Sequence, residues 1–96
     1  MATREVALSP TTWTKISEAG HTHISVWLGK YNIDKLNGPV AVSVQVDADD
    51  CDVRNSVILT HAIVAATSMP VGDGESVYAL WLGPNNPDPY IVVQGD

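Results

Sequence analysis

Three kinds of side chain here could do chemistry: histidines, a crowd of carboxylates and one thiol. His21 and His23 are two apart, so on an extended strand both imidazoles point the same way. With His61 they would make a three-histidine metal site. No Asp or Glu at a zinc-motif spacing accompanies them, and nothing in the sequence places His61 beside the pair, so they read as ordinary residues at a strand entrance. Asp47, Asp49, Asp50 and Asp52 gather at one corner the hard oxygen ligands that calcium takes. The loop fails the EF-hand pattern counted from Asp47. Cys51 falls where a third oxygen ligand belongs, Asp52 where glycine belongs, and Ile58 where the bidentate glutamate belongs. A solvated acidic turn is the expectation, with no metal and no other cofactor.

Cys51 lies among those carboxylates, whose field disfavours the reactive thiolate, and no histidine adjoins it; it reads as an inert thiol. The serines include no G-x-S-x-G elbow. Asp73 and Glu75 flank Gly74 in a turn, where acidic residues are common anyway. Gly72 and Gly74 precede a strand and not a helix, so they are not a phosphate loop. So little of an active site can be assembled that no enzyme is expected.

What must position these residues is bounded by length and charge. At 96 residues the chain makes one domain, of marginal stability as an isolated monomer. The charge is −6, and Arg4, Lys15, Lys30, Lys35 and Arg54 form no basic run. Nucleic acid and anionic membranes are therefore not expected partners. A single cysteine excludes an intrachain disulfide. MATREVALSP has no apolar signal core, and no apolar run reaches membrane-spanning length.

The stretch Val40–Val46, VAVSVQV, alternates valine with Ala41, Ser43 and Gln45, the pattern of a strand with one face on a core. Asn37-Gly38-Pro39 precedes it as a turn. Upstream, Glu5–Leu8 reads as a short strand closed by Ser9-Pro10. Thr11–Ser17 reads as a strand with Trp13, Lys15 and Ser17 on one face and Thr12, Thr14 and Ile16 on the other. Glu18-Ala19-Gly20 is a turn, and His23–Leu28 is a strand with Ile24, Val26 and Leu28 on one face. Tyr31–Asn37 fits one helical turn or an irregular connection. Val53–Ala66 fits two strands bent near Thr60, or a helix; its β-branched content favours strands. Met69–Gly74 reads as a turn-rich loop, Glu75–Leu82 as a strand, Gly83–Pro89 as a connection and Tyr90–Gln94 as the last strand. The expected fold is all-β: an antiparallel β-sandwich or jelly-roll-like barrel of about seven or eight short strands, with one short helical turn allowed. Residues 1–10 would form an N-terminal arm and 11–96 a single sandwich domain.

Glu75–Leu82 and His23–Leu28 carry large apolar residues on both faces, whereas a small sandwich buries one face of each sheet. A partner subunit, or the loop Gly83–Pro89, must cover the other. The expected subunit interface is Trp27, Tyr78, Leu80 and Trp81, because aromatic anchors dominate such contacts.

Taken in order, TTWTKIS, HISVWL, VAVSVQV, GESVYALW and YIVVQ resemble the small β-sandwich structural proteins of tailed-bacteriophage virions, including capsid decoration proteins and the bases of head fibres. The late element is Gly74-Glu75-Ser76-Val77-Tyr78-Ala79, and the resemblance runs from about Thr11 to Gln94. It implies a virion component without enzymatic activity, assembled in the host cytoplasm. It further implies a homotrimer that clamps the major capsid protein or another virion protein. The chain departs from the pattern in its arm, for which only Met1–Pro10 is available. A carbohydrate-binding sandwich with aromatics as a sugar platform, and a small tail or neck adaptor, are the competing readings.

Overall fold

The computed structural model describes residues 3–17, 20, 22–28, 38–60, 66–83 and 89–95. Eight strands form among them: β1 (Arg4–Ala7), β2 (Thr14–Ser17), β3 (His23–Trp27), β4 (Val40–Gln45), β5 (Val57–Leu59), β6 (Thr67–Pro70), β7 (Ser76–Trp81) and β8 (Tyr90–Gly95). Ala48–Asp50 and Val53–Asn55 are 3-10 turns. Among the described residues no helix is long and apolar enough to cross a membrane.

The strands pair antiparallel in a nested series: β1 with β8, β2 with β7, β3 with β6 and β4 with β5. The chain is thus one long ribbon doubled back at the β4–β5 corner. Rolling the ribbon brings β3 beside β8 and β4 beside β7, which makes two four-stranded sheets of order β1-β8-β3-β6 and β2-β7-β4-β5. This is the double-sheet jelly roll, and it bears out the all-β sandwich expected from the strand spacing.

Period-two patterning decides what faces the core. Val40 and Val42 of β4, Val77, Ala79 and Trp81 of β7, Ile24 and Val26 of β3, and Ile91 and Val93 of β8 all point between the sheets. Each aliphatic side chain so buried contributes about 1.5–3 kcal/mol relative to exposure. Trp81 is only 1% exposed. A Cβ on Gly38 would lie 2.5 Å from its Cζ2 and Cη2 atoms, and one on Gly83 would lie 2.6 Å from Cζ2. The two glycines are a cradle for the indole, which gives Gly38 a packing role beyond its turn. Leu82 N donates to Pro39 O at 2.9 Å and ties the two chain segments together there.

Several local expectations differ from the structure. Thr11–Trp13 is not strand: the Ser9 hydroxyl accepts from the backbone N–H of Thr11 and Thr12, each at 3.2 Å, and holds a bend instead. Ile16 and Ser17 do not alternate. The β2–β7 register shifts between Lys15 and Ser17, and the bulge turns both residues inward. Met69 and Pro70 are not loop but the end of β6, whose Thr67–Pro70 run lacks the alternation of apolar residues that marks strands elsewhere. Val53–Asn55 is neither strand nor α-helix but a 3-10 turn, because Asp52 caps it. Arg4–Ala7 of the expected arm pairs with β8 as an edge strand. Tyr31–Asn37, His61–Ala65 and Pro84–Asp88 lie outside the described residues.

Candidate interaction surface

The carboxylate corner is built by capping. Asp47 Oδ1 accepts from Asp49 N at 3.2 Å, and Asp52 Oδ1 accepts from Arg54 N at 2.9 Å, so each carboxylate satisfies an amide at the start of a 3-10 turn. Asn55 closes a capping box: its Oδ1 accepts from Asp52 N at 3.2 Å, and its Nδ2 donates to Asp50 O at 3.1 Å. The same Oδ1 accepts from the Ser43 hydroxyl at 3.1 Å. Residues 47–56 therefore fold back over the outer face of β4, and Ser43 is buried there although it points away from the core. The small polar face of β4 is thus a seat for this corner.

The hydrogen bonds from Arg54 hold the Asp52 carboxyl below the usual carboxylate range. Partial burial pushes the Cys51 thiol up, against a lowering hydrogen bond from Ser43, and Asp50 and Asp47 add to the rise. Among the described residues, no three His, Cys, Asp or Glu side chains converge as a metal site. His23 is described and exposed, while His21 and His61 lie outside the described residues. Asp73 and Gly74 form the turn before β7; Glu75 is occupied there, its Oε1 accepting from Gly72 N at 2.6 Å. Among the described residues no cavity is present.

Of the four residues expected at a subunit interface, Tyr78 and Leu80 share one outer face of β7, while Trp81 and Trp27 lie elsewhere. Trp81 is spent inside the chain's own core. Tyr78 points to the outer face of its sheet but is buried, between Ser43 and Lys15 in register, with Lys15 Nζ 5.9 Å from its ring centroid. Leu80 lies on that same outer face, half-buried. Trp27 is half-buried on the outer face of the opposite sheet, in register with Val92. The chain therefore covers much of the apolar surface that suggested a partner, and Trp27 and Leu80 keep the part left over.

The exposed apolar surface is elsewhere. Val46 (66% exposed), Val57 (45%), Val53 (41%) and Ile58 (36%) are the large apolar side chains classed as exposed among the described residues, and all lie within 46–58. Ile58, Ala41 and Leu80 form one cross-strand row on the outer face. Sequence reasoning missed this group because valines at β4 and beyond read as core. The signal that could have found it was the interruption of Val53–Leu59 by Arg54-Asn55-Ser56.

The fold and this surface define an antiparallel jelly-roll sandwich with an apolar, acid-flanked corner. No family model, curated protein or solved structure matches the chain.

Proposed function

We propose that this chain is a non-enzymatic structural protein of a tailed-bacteriophage virion, a homotrimeric capsid decoration or head-fibre subunit that binds the major capsid protein or another virion protein. The observation that carries the reading is the strand order β1-β8-β3-β6 facing β2-β7-β4-β5, the jelly roll also used by viral capsid and lectin domains. Fold alone does not choose between those two uses. The surface favours the first. A sugar platform needs exposed aromatic faces, whereas among the described residues Trp13, Trp27 and Tyr90 are half-buried and Tyr78 and Trp81 are buried. Among the described residues the large apolar side chains that stand exposed, Val46, Val53, Val57 and Ile58, are aliphatic and suit protein contacts. Burial of such surface across subunit junctions would stabilise a shell by mass action on the assembled state.

The test is to purify virions of the encoding phage and quantify the chain in head and tail fractions, alongside sedimentation equilibrium of the free protein. The expected results are many copies in the head fraction and a mass three times 10.3 kDa. A micromolar monomer absent from virions would sink the proposal. Recovery only with tails would reassign the chain to a tail or neck adaptor, and hits on a glycan array to carbohydrate binding.

A further inference from the structure

Among the described residues the sandwich has four edge strands, and three of them carry charge, proline or a bulge, which discourage pairing with another chain. β1 carries Arg4 and Glu5. β2 carries Lys15 and the bulge. β6 ends in Pro70 and carries Ser68. β5 has none of these devices: it reads Val57-Ile58-Leu59, without charge, proline or bulge. Its two exposed side chains lie on opposite faces, since Val57 is in register with the inward Val42 and Ile58 with the outward Ala41. A strand added beside β5 would cover both at once, as strand-addition complexes do.

Charge selects the occupant. Asp47, Asp49, Asp50 and Asp52 stand exposed in the connection that leads from β4 into β5, and the cation among them, Arg54, is committed to Asp52 at 3.4 Å. A second copy would bring another −6 to this corner. We infer that the β5 edge binds an extended segment of another protein, apolar at its centre and flanked by lysine or arginine, by adding it as a fifth strand to the β2-β7-β4-β5 sheet. Opposite charge steers such a segment to the corner, and main-chain pairing with apolar cover holds it. This inference does not depend on the chain being a virion component.

The test is an amide NMR titration of the isotope-labelled full chain with two short synthetic peptides. Both alternate valine and threonine; one is flanked by paired lysines and the other by paired glutamates. The lysine peptide is expected to shift the Val57, Ile58 and Leu59 amides, and to weaken about ten-fold when salt is raised to about 1 M. The I58K and V57K variants, which give β5 the protection of the other edges at exposed positions, should each lose binding at least about ten-fold with circular dichroism and melting unchanged. Retention of binding by both folded variants would overturn the inference. So would dissociation constants above about 1 mM for the lysine peptide, equal binding of both peptides, or shifts confined to another strand. Concentration-dependent shifts of the β5 amides without peptide, abolished by I58K, would assign the edge to a second copy and equally overturn it.

Discussion

The guanidinium of Arg4, on the edge strand of one sheet, donates a hydrogen bond to the backbone carbonyl of Ile16, on the edge strand of the other. The β2 bulge makes this possible, because Ile16 has no partner in the β2–β7 register. One side chain thus straps the two layers together at the edge where the chain first crosses between them.

Removing that strap should cost more than removing an ordinary surface arginine. Arg4→Ala is expected to destabilise the chain by about 1.5–3 kcal/mol, the range for a hydrogen bond with a charged partner. In a chain of this length that lowers the melting temperature by roughly 6–24 °C. Lys15→Ala, which removes a cation from an exposed site over Tyr78, should cost about 1 kcal/mol or less. Urea titrations of both variants check the difference. Equal costs would mean that the Arg4–Ile16 bond contributes nothing beyond a surface contact.

Gly38 and Trp81 should behave as one unit. A Cβ at Gly38 would also lie 2.7 Å from the Cα of Gly83, so neither the ring nor the backbone has room to yield. Gly38→Ala is expected to cost about 1–3 kcal/mol by overpacking. Trp81→Phe shortens the ring system that meets the new methyl group. In the double variant the two costs should therefore not add, with a coupling of about 0.5–3 kcal/mol. Thermal melts of the two single variants and the double variant measure it, and simple additivity would sink the cradle.

How much of this was legible beforehand follows from what each residue answers to. β3, β4, β7 and β8 were readable because their alternation reflects one buried face, and that patterning is written residue by residue. Of the edge strands, β1, β2 and β5 fall within stretches that read as strand, with shifted bounds, and β6 does not. Thr67–Pro70 holds its place by pairing with β3, with Met69 its one buried residue, and so leaves almost no period-two trace. The bulge at Ile16 was hidden because alternation assumes an unbroken register. The expected interface was chosen by side-chain size and aromaticity, which do not report exposure: Trp81 points into the core, and outward direction is not exposure either. Ser43 and Tyr78 both point outward and are buried, Ser43 beneath the capped corner and Tyr78 between cross-strand neighbours. No sequence period encodes such covering, since it depends on where residues 47–56 fold back.

The capped corner should make stability fall on acidification. The Asp52 carboxyl is held below its ordinary value by hydrogen bonds from Arg54, so its ionised form is favoured more in the folded than in the unfolded chain. That contribution is fully present above the ordinary carboxylate value of about 3.9. It is lost as pH falls from there through the lowered folded-state value. Asp52→Asn keeps an oxygen acceptor for the Arg54 amide but cannot titrate. It should flatten this part of the stability–pH curve, as read by urea unfolding between pH about 6 and about 2. An unchanged slope would mean that Asp52 is not a source of the pH dependence.

Cys51 should resist alkylation at neutral pH. Its thiol is pushed up first by burial, and Asp50 and Asp47 add to the rise, while the Ser43 hydroxyl favours the thiolate. The midpoint of iodoacetamide modification is therefore expected above the ordinary thiol value of about 8.5. Asp50→Asn should bring it down and Ser43→Ala should push it further up, although Ser43→Ala also removes the hydroxyl's bond to Asn55. For a group raised in the folded state, stability is intact below the unfolded thiol value. It declines as pH rises from there through the folded one, because the unfolded chain loses its proton first. The same corner that gains stability from ionised Asp52 at neutral pH therefore loses some from Cys51 in alkali. Alkylation rates and urea midpoints between pH about 7 and about 10 should change over the same interval. A modification midpoint at or below the free-thiol value would refute the assignment of burial and carboxylates as the controlling influences on Cys51.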